Sequence, residues 1–275
     1  MKKLLLLILI FIHFTMNGSD VESILKRLSF NERFYLNKFF RACIRADHFG
    51  FTIFSDKPVS LSSYFIRCRS DELANPYRNK LISRGWHVWK KYQHLLPHEN
   101  FIFCEERDDF YDESLNFTFK ISHIYLVNKS ELIKLLRKQE ATFAKCLGEG
   151  FSPEGFLKLV ENTKTLMPHL NNDEALLGLV LGYGLESALQ FAELQQKGSY
   201  EDGVCEAIIS YQPNRCKIQP VVFVGNPQSR EVQNIKEHYA EPIEKIWNIY
   251  KDKNFLISVI KALCANDASV SIRNF

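Results

Sequence analysis

The chain has 275 residues, 46% hydrophobic and 24% charged, the balance of an ordinary globular protein with a sizeable core. Its net charge is +3, with 35 basic and 32 acidic side chains interspersed, and two of the positive charges, Lys2 and Lys3, sit at the extreme N-terminus. Composition therefore supplies no basic face of the kind that neutralises phosphates, and no nucleic acid is expected as a partner.

The start, MKKLLLLILIFIHFTMNGSD, has the profile of an export signal: two lysines, an apolar run over residues 4–12 and a polar exit through Asn17, Gly18 and Ser19. The run is short of the about 20 residues a helix needs to cross a bilayer. Residues 1–19 are expected to be a leader without lipoprotein processing. Residues 20–275 should form one exported domain, in the periplasm, envelope or secreted space, that does not span a membrane.

Ser29 and Glu32 have capping-box spacing and predict a helix to about Arg45, with Leu36, Phe39, Phe40 and Cys43 as its buried stripe. Gly50 should end that helical pattern. The aromatic, Ile and Thr content of residues 51–54, the turn chemistry of Ser55-Asp56-Lys57-Pro58 and the return over residues 59–65 predict a β-hairpin. A helix follows over 71–96, interrupted near Pro76 and carrying Trp86, Trp89 and Tyr92. Strands are expected at 100–104, 115–121 and 123–127, giving with the hairpin an antiparallel sheet of four or five strands.

The second half reads as helical. Ser130 caps a helix to about Leu147, Gly148 stops it, and Ser152-Pro153 starts the next. A long apolar helix begins at Asn171 or Asn172. A short strand at 221–224 leads into a stripe of Val232, Ile235, Tyr239, Ile243, Ile246 and Tyr250, kinked by Pro242, and a last helix covers 255–264. The fold class is thus α+β: a small antiparallel sheet from the first half packed against a predominantly helical second half.

No catalytic constellation stands out, so the catalytic residues stay unknown and neither a cofactor nor a metal is called for. Gly178, Gly182 and Gly184 lie inside a helical pattern, which argues for close helix packing over phosphate binding. Residues 221–229 have a strand-turn-helix context for an anion but lack Gly-Lys-Ser/Thr, so Asn226 and Pro227 read as a cap and first-turn proline. His94 and His98 have a zinc-pair spacing broken by Pro97, and with His87 they read as a helix end. Glu105, Glu106, Asp108, Asp109, Asp112 and Glu113 surround Arg107 in what reads as a solvated loop, because calcium coordination would want a glycine there. Cys43, Cys68, Cys104, Cys146, Cys205, Cys216 and Cys264 include no C-x-x-C pair, and only Cys205 and Cys216 look placed to bridge.

Three blocks, FGFTIFSDKPVS, DEALLGLVLGYGLESALQF and VVFVGNPQSREVQNIKEHYAEPIEKIWNIYKDKNFL, resemble in the same order a group of uncharacterised exported proteins of chlamydia-like intracellular bacteria. The resemblance implies export and brings no catalytic residues with it. The expected function is that of a non-enzymatic exported envelope or secreted protein acting through surface contacts with an unknown protein partner. The alternative is a hydrolase whose site gathers distant residues, the acidic segment and His123 among them. A deep polar pocket would favour the enzyme.

Overall fold

The computed structural model describes residues 18–68, 75–113, 116–197, 206–208 and 218–265. The leader-like run and both Cys205 and Cys216 lie outside them. The architecture is α+β, a small antiparallel sheet among many helices.

Helix α1 (Gly18–Arg27) leads into α2 (Phe30–Ala46), where the capping box is made as its spacing predicts: the Glu32 N–H donates to Ser29 Oγ at 3.3 Å and the Ser29 N–H to the Glu32 carboxylate at 2.9 Å. The next segment departs from expectation. Phe49–Phe54 is a short helix, α3, with all six residues buried, so there is no hairpin and Gly50 lies within a helix. A continuous apolar run has no period to separate a buried strand from a buried helix. His48, in the left-handed region at φ 65°, redirects the chain between α2 and α3.

Strand β1 (Val59–Arg67) pairs with a partner far along the chain. After α4 (Pro76–Tyr92), strands β2 (Phe101–Asp112) and β3 (Phe117–Asn128) form a long hairpin, and β3 lies between the other two in a three-stranded sheet. The acidic segment is therefore strand, not loop. Lys120 pairs with Asp109 across the hairpin at 2.9 Å, and Phe110 packs on Phe119, so the exposed half holds its charges out to solvent while the backbone ladder continues.

Both faces of the other half of the sheet are covered. On one, Tyr64, Phe101, Phe103, Ile124 and Leu126 meet Phe39, Phe40, Trp86 and Trp89 of α2 and α4. These helices approach closely at Gly85, where a Cβ would lie 2.2 Å from that of Phe39. On the other face, Val59, Ile102, Cys104, Tyr125 and Val127 meet α5 (Lys129–Lys138), α6 (Glu140–Leu147), α7 (Pro153–Thr163) and α8 (Glu174–Val180). The predicted 130–147 helix is two helices. Its cap is Asn128, whose Oδ1 accepts from the Glu131 N–H at 3.3 Å, while Ser130 donates its hydroxyl to that same oxygen. Gly148 and Ser152-Pro153 act as expected.

Asn171 and Asn172 both stand at φ 55° and precede α8, which Asp173 caps. The long apolar helix breaks after Val180 and resumes as α9 (Leu185–Lys197). Strand β4 (Glu206–Ile208) pairs with β5 (Val222–Val224). The amphipathic stripe forms α10 (Arg230–Ala240) and α11 (Ile243–Lys251), split at Pro242 and packed with α12 (Phe255–Cys264) into the first core.

Candidate functional site

A cavity of about 350 Å³ opens between α8, α9, β1 and β5. It is within the size range of small-ligand sites and is built mainly from Leu61, Leu177, Leu181, Phe191, Phe223 and Val224. Gly178 lets the two helices close on each other, since a Cβ there would stand 3.1 Å from that of Ala188. Tyr183 stacks on Phe223, 5.5 Å between centroids and 9° between planes, forming an aromatic wall.

Two polar residues, Ser187 and Glu174, are also part of the lining. Ser187 is 1% exposed, and its hydroxyl has no hydrogen-bond partner among the described residues. A buried hydroxyl left without a bond is costly, which sets it apart from the satisfied polar groups around it. Glu174 lies at the rim, where desolvation and then the neighbouring Asp173 push its carboxyl above the usual carboxylate range.

Lys57 stands behind the aromatic wall, fully buried. Its Nζ donates to the carbonyl of Leu181 and lies 4.9 Å from the Tyr183 ring centroid and 5.7 Å from that of Tyr239. Burial alone lowers its pKa from 10.5 to about 7. Among the described residues no carboxylate pairs with it. Asp56 beside it is taken by His238 at 2.9 Å.

The hydrolase alternative meets a specific arrangement. Ser63, His123 and Glu106 occupy one cross-strand row, with the Ser63 hydroxyl 2.8 Å from His123 Nδ1. The order suits a nucleophile, a base and an acid. Glu106, however, spends its Oε1 on the N–H groups of Leu166 and Met167, closing the turn that starts at Met167. None of the three lines the cavity. Glu105, on the opposite face, accepts from Lys90 at 2.7 Å, Ser122 at 3.0 Å and Tyr64 at 3.1 Å. Burial opposes its charge, but these bonds prevail and hold its pKa below the usual range.

The other candidates have structural partners. Burial raises the Cys43 thiol well above its ordinary value and pushes Cys104 and Cys264 up to about 12, so none of the three is a ready thiolate. His98 faces the Phe101 carbonyl and packs on Trp89. At the glycine-rich segment the N-terminus of α9 already holds an anion: the Glu231 carboxylate accepts from the N–H groups of Leu185 at 3.2 Å and Glu186 at 2.9 Å. Gly184, at φ 82°, makes room for it. In the 221–229 segment the helix cap is Ser229, accepting from Val232 at 3.2 Å, while Asn226 closes the preceding turn. Sequence reading reached Gly178 but missed Ser187, Glu174 and Lys57. No family model, curated protein or solved structure matches the chain.

Proposed function

We propose that this is a non-enzymatic exported protein that acts by binding, and that the cavity between α8 and α9 takes a small, largely apolar ligand with one hydrogen-bonding head. Ser187 carries this assignment: it is a lining residue of an apolar cavity, its buried hydroxyl lacks a partner among the described residues, and a ligand polar group would relieve that cost. Binding is favoured over hydrolysis because Glu106 is consumed by backbone N–H groups and the Ser63–His123 pair lies away from the cavity lining. Export is proposed from the leader-like start and from the resemblance to exported proteins of chlamydia-like bacteria. Among the described residues, no helix is long and apolar enough to cross a membrane.

The test is a titration of labelled protein with p-cresol and with toluene, followed by nuclear magnetic resonance. Perturbations should centre on Ser187, Phe191 and Phe223, with p-cresol preferred. Ser187→Ala should erase about five- to tenfold of that preference, the worth of one hydrogen bond. Val222→Trp at the mouth should block both probes. Shifts scattered over the surface, or a preference untouched by Ser187→Ala, would remove the assignment.

A further inference from the structure

A second concave surface lies across α2 from the sheet and differs in character. Lys38, Arg41, Arg45 and Arg78 line a cleft of about 440 Å³ together with Tyr77 and Tyr250, and no carboxylate is among its lining residues. Lys38, Arg41 and Arg45 fall at i, i+3 and i+7 and so share one face of α2. In a chain whose charges nearly cancel, this grouping comes from the fold and not from composition.

The four charges are held differently. Arg78 is paired with Asp47, which also accepts from the Ser62 hydroxyl at 2.7 Å. Arg41 is fixed by neutral acceptors only: Asn37 Oδ1 at 3.0 Å, the Tyr250 carbonyl at 2.5 Å and the Asp252 carbonyl at 3.4 Å. Its guanidinium carbon also lies 4.3 Å from the Phe255 ring centroid and 5.0 Å from that of Tyr250. The guanidinium is therefore pre-positioned and its charge uncompensated. Lys38 lies 5.5 Å from the Phe34 ring centroid, and neither it nor Arg45 forms an ion pair among the described residues.

Like charges a turn apart on a helix destabilise it, and a concave basic wall concentrates its field on an incoming anion. Guanidinium groups match phosphate oxygens in geometry as well as charge. Tyr77, 61% exposed at the edge, adds a flat surface for an organic group, and the cleft has room for more than a bare phosphate. We infer that this cleft binds a phosphate monoester, with Arg41 as the fixed contact and Lys38 and Arg45 as the contacts free of ion pairs among the described residues.

Calorimetric titration of the full chain with phenyl phosphate, inorganic phosphate and phosphatidic acid vesicles, at matched ionic strength, tests it. Phenyl phosphate should bind one to one and more tightly than inorganic phosphate. The double variant Lys38→Gln, Arg45→Gln should lose about tenfold or more in affinity with its melting temperature nearly unchanged, because neither side chain forms an ion pair or hydrogen bond among the described residues. Ser187→Ala should leave this binding intact, which separates the site from the apolar cavity. Saturable binding to vesicles without binding of the soluble ester would assign the phosphate to a lipid headgroup. No saturable phosphate binding in any form up to about 10 mM, a range that covers affinities of only about 3 kcal/mol, would overturn the inference, as would binding indifferent to the double variant.

Discussion

Replacing Lys57 by Met tests the least ordinary feature of the interior, a fully buried ammonium that no carboxylate pairs with among the described residues. Its pKa falls from 10.5 to about 7 on burial, which corresponds to about 5 kcal/mol favouring loss of the proton in the folded state. The sign follows from proton counting. Below pH 7 the folded and unfolded chains both carry the proton, and the cost of burying the charge is fully expressed. Between pH 7 and 10.5 only the unfolded chain holds it, so wild-type stability rises with pH across that window. Methionine removes the charge but forfeits the bond to the Leu181 carbonyl, a loss of about 1–3 kcal/mol. Lys57→Met should therefore be more stable than wild type by roughly 2–4 kcal/mol at pH 6, and the advantage should vanish or reverse by pH 10. His48, whose pKa burial lowers to about 4, titrates outside the window. Urea unfolding of both proteins at pH 6, 8 and 10 measures the difference. A variant less stable than wild type at pH 6, or a gap constant with pH, would refute the reasoning.

Two further outcomes separate structural carboxylates and glycines from solvated or permissive ones. Glu106→Ala should destabilise by about 1–3 kcal/mol by stranding the N–H groups of Leu166 and Met167, whereas Asp108→Asn with Asp109→Asn should stay within about 0.5 kcal/mol in the same urea assay. Gly182→Leu should cost roughly 2–4 kcal/mol by thermal unfolding, because Gly182 stands at φ 78° and a Cβ there would lie 2.3 Å from Tyr239 Oη.

Helices with local signals were legible in the sequence. Ser29 with Glu32, Ser152 with Pro153, and Gly148 each satisfy backbone groups within four residues, so spacing alone locates them. Pro242 likewise marks the split between α10 and α11. Features that depend on distant partners were not legible. Phe49–Phe54 is a helix because core packs on every side of it, and the acidic half of β2 is strand because β3 supplies its ladder. Gly85 has no local mark, yet Phe39 and the Tyr35 carbonyl sit where its Cβ would be. Lys57 resembles a turn lysine beside Pro58 until Leu181, 124 residues away, supplies its acceptor. Ser187 reads as one more polar residue on a helix.

The candidate cavity exists because the expected long helix from 172 onward does not form. Leu181 ends α8 with two bonds that turn the chain back: the Gly182 N–H donates to Leu179 at 2.9 Å and the Tyr183 N–H to Gly178 at 3.1 Å, a pattern that requires a left-handed residue at Gly182. Lys57 takes the Leu181 carbonyl, and Glu231 takes the N–H groups that open α9, so each exposed end of the break is satisfied by a side chain from elsewhere in the fold. With both ends tied, α9 folds back until Ala188 meets Gly178, and Ser187 is carried inward, its Oγ 2.6 Å from where a Gly225 Cβ would stand. An uninterrupted helix would place Ser187 about 20 Å from Glu174 along its axis, at 1.5 Å per residue, and no enclosure would form between them. The glycines that resemble a phosphate loop thus serve a different end: they bend a helix around a cavity, and the anion at the helix start is the protein's own carboxylate.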